Sequence, residues 1–259
     1  IDKEIIVRNS RPEESFEALD GMMARAIDKS GIQFKMLNSS KGPAVQGPRS
    51  QADRDLYKTA IKQLLKKEEN LEICIGLVCD LKVKNNSISG VVLEDKTKVD
   101  CNSLVITTGT FLGGKIFIGN ETFLAGRIGD KSSIGLANAI RSQKFPVGRL
   151  KTGTPPRILY ESIDWDVIDL QEADKVPTPF SFLNKKITVP QIKCGITKTN
   201  MKTHNLINKN IKLSAVYSGS ISGNGPRYCP SIEDKVIRFN EKGSHQIFLE
   251  PEGLKSNIV

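Results

Sequence analysis

The run Leu104-Val105-Ile106-Thr107, apolar until it is stopped by Thr108-Gly109-Thr110, narrows the choice of fold more than any other feature of this chain. A strand without a polar face must be covered on both sides, as central strands of α/β sheets are. A loop of small residues at the carboxyl end of such a strand is where these sheets receive ligands. The expectation is therefore an α/β fold, with Thr108 and Gly109 as ligand-contact positions.

The surrounding chain fits that frame. Phe16, Leu19, Met22, Met23, Ala26 and Ile27 recur at helical spacing before Gly31, predicting a helix over about 12–30, followed by an alternating strand over 32–37 and turn residues over 39–43. A second helix is expected over about 50–69, with Ala52, Leu56, Ala60, Ile61, Leu64 and Leu65 on one face. Segments 71–81, 87–93 and 98–101, separated by Asn85-Asn86 and Glu94-Asp95, read as an antiparallel meander feeding the apolar run. Beyond Gly109 glycine, proline and basic residues multiply; a helix is expected over 132–143 and strands over 181–196 and 216–221. The layout expected is a lead-in over 1–15, a partial dinucleotide-type domain with the meander over 16–128, a smaller mixed α/β domain over 129–253, and a return to the first domain over 254–259.

Charge and cysteine usage limit the function classes. Thirty-eight Lys and Arg against 29 Asp and Glu give a net charge of +9, which favours a polyanionic partner through counterion release; a solvated basic surface would have the same composition. Five dispersed cysteines and two histidines supply neither a zinc knuckle nor a Ser/His/Asp triad, so no metal is expected. The longest apolar runs fall far short of the roughly 20 residues of a membrane span. The acidic start Ile1-Asp2-Lys3-Glu4 is unlike a secretory leader, so a cytoplasmic protein is expected.

Gly223 to Lys235 concentrates the most chemistry. Its glycines permit close backbone approach to a phosphate or flat ring, and Arg227 is suited to bidentate contact with an anion. Cys229 lies just before an expected helix start at Ser231, where a helix dipole would favour the thiolate; a structural cysteine beside a proline turn is the competing reading. The loop Gly148 to Arg157 presents Arg149, Lys151 and Arg157 around Pro155-Pro156, equipment for phosphates or an ordinary solvated loop. His204 and His245 are expected to be surface or core residues.

Six strings together resemble the GidA/MnmG family: LNSSKGPAVQGPRSQADRDLY (Leu37 to Tyr57), TTGTFLGGKIFIG (Thr107 to Gly119), VGRLKTGTPPRI (Val147 to Ile158), PFSFL (Pro179 to Leu183), GPRYCPSIEDKVIRF (Gly225 to Phe239) and HQIFLEPEGL (His245 to Leu254). The resemblance runs from about Phe16 to Val259. It implies a two-dinucleotide-type, Rossmann-like FAD protein with an inserted smaller mixed α/β domain that handles NADH. Such enzymes install an aminomethyl or carboxymethylaminomethyl group on C5 of the tRNA wobble uridine, position 34, with a folate one-carbon donor and a GTPase partner of the MnmE type, and form homodimers. By motif, Val78 and Ser133 would contact FAD, together with Thr108 and Gly109. The nicotinamide nucleotide would meet Gly225, Pro226, Arg227, Tyr228, Cys229, Pro230, Ser231, Ile232, Glu233, Asp234, Lys235, Val236, Ile237, Arg238 and Phe239. Arg227 and Cys229 would be catalytic, and Arg149, Lys151 and Arg157 would contact tRNA.

The departures from the family pattern carry expectations of their own. The amino-terminal GxGxxG turn that grips FAD and the family's tRNA-binding carboxyl-terminal region have no counterpart in the sequence, so a fragment with weak FAD binding and little turnover is expected. Gly195 and Lys198 replace the usual Tyr and His of the CYITHTN segment. A folate- and FAD-dependent tRNA uridine-5 methyltransferase is the nearest enzymatic alternative, and a noncatalytic nucleotide- or RNA-binding module the alternative from another class.

Overall fold

In a computed structural model the described residues are 21–151, 153–221 and 230–259. They fall into two compact units between which the chain alternates. The first comprises the described residues up to Glu72, with Pro155–Asn200 and Gly243–Val259; the second comprises Ile73–Thr154 and the described part of Met201–Lys242. The expected layout has one insertion, 129–253, between 16–128 and the return of the first domain over 254–259; the compact units instead change over near residues 72, 154, 200 and 242.

In the first unit, the helix Met22–Ile27 leads into the strand Gly31–Leu37, which pairs antiparallel with Gly47–Ala52. The helix expected from about residue 50 begins at Arg54, because Asp53 is its N-cap and accepts from Leu56 N at 2.9 Å. Its buried stripe is Tyr57, Ala60, Ile61 and Leu64, packed with Ala26 of the preceding helix. Leu56, expected on that stripe, is 38% exposed, and Tyr57 takes its place. Burying Ile61 and Leu64 contributes about 1.5–3 kcal/mol each, against about 1 kcal/mol for the cap. Packing therefore holds this helix and the cap sets where it starts. Burial also pushes the Tyr57 phenol up to about 12.

Asp53 has a second task. Its other carboxylate oxygen accepts from Leu254 N at 2.8 Å, tying the segment Pro251–Leu254 to the helix start. The terminal residues are clipped to the chain near 158 by the paired bonds Ile158 N to Val259 O and Val259 N to Ile158 O, both 2.9 Å. A three-stranded antiparallel sheet, Gln246–Leu249 beside Cys194–Lys198 beside Asp169–Gln171, completes the unit. Only the last residues of the expected strand 181–196 are in it. The Gly195 departure has a packing reason: a Cβ there would lie 3.0 Å from both the Trp165 ring and Ile168 Cγ2. Trp165 fills space that a larger residue at 195 would need.

The second unit opens with the expected meander, Val78–Lys84, Ser87–Leu93 and Lys98–Asp100. Asn85 and Asn86, both at positive φ, make its first turn. The hairpin Lys115–Ile118 with Glu121–Arg127 follows, then the helix Ile134–Ser142, which packs on Val78–Lys84. Two expectations fail in this unit. Segment 104–107 is not a strand, and Val105 is 84% exposed; no strand among the described residues pairs with it, and an apolar run without hydrogen-bonding neighbours has no sheet to join. Residues 216–221 form turns, closed by Ser218 N to Ser214 O at 2.8 Å.

Among the described residues no helix is long and apolar enough to cross a membrane, and no group of His, Cys, Asp and Glu is arranged to hold a metal. His204 and His245 are buried core residues, as expected. Cys194 is fully buried, which pushes its thiol up.

Candidate functional site

In the second unit the four expected FAD-contact positions converge on one seam. Val78 opens the strand that carries Cys79, and Gly135, in the first turn of the helix Ile134–Ser142, lies directly against Cys79. A Cβ at 135 would stand 2.8 Å from the Cys79 carbonyl oxygen, so glycine is what allows this approach. Ser133, buried just before the helix, donates its N–H to Phe111 O at 2.8 Å and accepts from Gly113 N at 3.1 Å. Phe111 N in turn donates to Thr108 O at 3.2 Å. Thr108 and Gly109 are thereby fixed to the same turn as Ser133, and Gly109, at φ +56°, has nothing within 4 Å of where its Cβ would be.

The helix Ile134–Ser142 begins without neutralising groups: its first turn has no acidic residue and Ser133 makes no side-chain cap bond. Such an end carries partial positive charge and outward N–H groups suited to a phosphate. The helix start beside Ser133 could take an anionic group such as a pyrophosphate, and the open side of Gly109 leaves room for a flat group. Arg149, expected to contact tRNA, lies in this unit and donates to Gly113 O at 3.1 Å, bracing the same glycine turn.

The second cluster surrounds the helix Ile232–Arg238, whose expected start at Ser231 is borne out by a reciprocal capping box with Asp234. Ser231 Oγ donates to Asp234 at 2.8 Å, Ser231 N at 3.2 Å, and Tyr217 OH reaches the other oxygen at 3.0 Å. Lys151 Nζ stands 3.5 Å from the same carboxylate with its side chain 16% exposed. Burial pushes the Asp234 carboxyl up, but the bonds from Ser231 and Tyr217 and the Lys151 charge prevail and hold it below the usual carboxylate range. Burial, then the bond to Asp234, raises the Tyr217 phenol.

Sequence reasoning named Ser231 and Asp234 but missed Tyr217, which sits among turn residues with only its aromatic character as a signal. Pro230, Ile232, Glu233, Lys235, Val236, Ile237, Arg238 and Phe239 are on or beside this helix; Gly225, Pro226, Arg227, Tyr228 and Cys229 lie outside the described residues. Arg157, the third expected tRNA contact, belongs to the first unit and pairs with Glu252 at 2.5 Å. That unit also has an open cavity of about 650 Å³ bordered by Tyr160, Trp165, Lys193, Gly253 and Lys255, which none of the expected site residues lines.

A seam of strand, glycine turn and unneutralised helix start has the local chemistry of a dinucleotide-binding protein, and the superposition on solved structures gives the class, an α/β Rossmann-like protein. Residues 12–259 match the family described as glucose inhibited division protein A, beginning four residues before the expected Phe16, and the chain belongs to that family. It is 52% identical over 246 residues to the tRNA uridine 5-carboxymethylaminomethyl modification enzyme MnmG of Granulibacter bethesdensis, covering 94% of this chain and 39% of that protein. Two crystal forms of Aquifex aeolicus GidA superpose with TM-scores of 0.85 and 0.83 at 44% and 42% identity, each covering 95% of this chain and 42% and 40% of theirs. The chain thus spans about two fifths of the length of these relatives. Every strand pair among the described residues is antiparallel, so the fold class rests on that superposition and not on a visible parallel sheet.

Proposed function

We propose that this chain is part of an enzyme that modifies C5 of the tRNA wobble uridine, adding a (carboxymethyl)aminomethyl group with FAD, NADH and a folate one-carbon donor. The observation that carries the reading is the 52% identity, over 94% of the chain, to a relative named for this modification. A GTPase partner of the MnmE type, a homodimer of the whole protein and a cytoplasmic location belong to the same proposal.

Within it, Ser133 and the start of the helix Ile134–Ser142 hold the FAD phosphates, while Val78, Thr108 and Gly109 lie along the rest of the molecule. FAD supplies hydride transfer when bound. The segment Gly225 to Phe239 handles the nicotinamide nucleotide, with Arg227 toward its anionic groups. Arg149, Lys151 and Arg157 act on tRNA only by exchanging their present partners, Gly113 O, Asp234 and Glu252, for phosphate. The Cys229 thiolate attacks C6 of the uracil, forming an S–C6 bond as the C5=C6 electrons move toward O4; C5 then attacks the electrophilic methylene of the folate-derived unit. The electrons of the methylene–nitrogen bond go to the folate nitrogen; loss of the C5 proton and expulsion of the thiolate restore the ring, and an amine, ammonia or glycine, displaces the folate nitrogen from the methylene to leave the (carboxymethyl)aminomethyl group.

The test is an anaerobic flavin spectrum of the purified chain with FAD and then NADH. Weak uptake of FAD with slow bleaching by NADH is expected; a full-length parent that takes up no flavin would remove these FAD contacts from the proposal. In a full-length parent, single-turnover modification by Cys229→Ser at the wild-type rate would rule out the thiol step.

A further inference from the structure

The segment Pro179–Leu183 of the first unit is built to present a side chain outward. Asp28, 4% exposed, accepts from Phe180 N at 2.7 Å, from Ser181 N at 3.0 Å and from Asn184 Nδ2 at 2.8 Å. Ser181, itself buried, closes the turn by accepting from Leu183 N at 3.2 Å on its hydroxyl and from Asn184 N at 3.2 Å on its carbonyl. Phe180 turns inward against Phe34, ring centroids 5.7 Å apart. Phe182, two residues on, is 75% exposed and Leu183 67% exposed, and after Asn184 come exposed Lys185 and Lys186.

A buried carboxylate bound to three groups of one turn gives the tip little freedom, so Phe182 is held out of the protein at low further entropic cost. A protein partner's apolar surface would match the two apolar residues but not the adjacent lysines, a residue type depleted from interface cores. An aromatic face beside two cations matches an unpaired nucleotide, whose base stacks and whose phosphates are anionic; the net charge of +9 has the same complementarity. We propose that this tip contacts RNA, Phe182 stacking on an unpaired base and Lys185 and Lys186 meeting the adjoining phosphates. The inference rests on the tRNA reading above and adds a contact to it.

The test measures binding of the 259-residue chain to unfractionated tRNA by fluorescence anisotropy over a series of salt concentrations. Phe182→Ala weakens binding about tenfold, within the range of lost base–aromatic stacking, without changing the salt slope, and Phe182→Tyr restores affinity. Replacing Lys185 and Lys186 together with Ala lowers the slope of log K against log salt by about 1.4–1.8, as expected for two phosphate contacts. All variants melt with the wild type, because the altered side chains are exposed. Wild-type affinity in Phe182→Ala overturns the contact and leaves the tRNA reading standing; a wild-type chain that binds no tRNA also overturns the contact, while the tRNA reading, which rests on identity to a longer relative, fails only if the full-length parent binds none. Loss of a dimer in Phe182→Ala by sedimentation velocity, with tRNA affinity kept, makes the tip a contact between copies and likewise overturns it.

Discussion

Two helices of the second unit begin at a serine, and they treat their starts in opposite ways. Ile134–Ser142 has no acid in its first turn and no side-chain cap, whereas Ile232–Arg238 carries Glu233 and Asp234 and closes a capping box. The first start keeps its positive end available to a ligand; the second spends it on its own carboxylates. The identity of a cap residue thus says little about anion binding until the following turn is read. It also weakens the dipole argument for Cys229: the end of the helix that follows it is already neutralised, so activation of that thiol has to come from elsewhere.

The contrast can be broken in several places. Gly135→Val has the largest expected effect, about 3 kcal/mol of stability lost from driving a side chain into Cys79, read as a lower denaturant midpoint together with lost FAD uptake. Asp234→Asn comes next, at about 2 kcal/mol for a hydrogen-bonded charge. Because the folded carboxyl lies below its ordinary 3.8, its contribution is full above that value and lost as the pH falls through the folded pKa. Wild type should therefore lose stability in acid more steeply than Asp234→Asn, which thermal melts from pH 6 to pH 2.5 would show. Ser231→Ala costs about 1 kcal/mol, and removes none of the Tyr217 or Lys151 contacts. Ile134→Glu gives the smallest change in stability and of opposite sign, about 0.5 kcal/mol gained from an acid at an exposed helix start. By making the first start resemble the second it should also weaken FAD binding about fivefold; unchanged FAD affinity would show that the phosphates are held elsewhere.

What the sequence disclosed was mostly local. The strand Gly31–Leu37, the meander, the helix Ile134–Ser142 and the cap at Ser231 each carry their signal within a few residues, as alternation, paired asparagines, helical spacing or a serine followed by acids. Gly47–Ala52 has almost no apolar alternation, and its strand state comes from pairing with Gly31–Leu37. The Asp53 cap was legible, an aspartate before a helical stripe, yet the stripe alone drew the helix too early. Segment 104–107 had the composition of a central strand, but composition names no partner, and pairing is what makes a strand. The seam was half visible: Thr108 and Gly109 came from the end of an apolar run and Val78 and Ser133 from family motifs, while Gly135 and Phe111, which join them, act through packing that no spacing rule describes.

The interleaving of the units bears on how the chain is made. Leu254 and Asp53, hydrogen-bonded in the first unit, are 201 residues apart, whereas the meander, the hairpin and the helix on them lie within Ile73–Thr154. During synthesis the latter can close as soon as it leaves the ribosome. In the first unit the stripe of Tyr57, Ile61 and Leu64 can pack early on its neighbours between Met22 and Leu65, but Asp53 gains its second bond only once Leu254 has been made, and the interval before such distant contacts close is when a nascent chain is most exposed to aggregation.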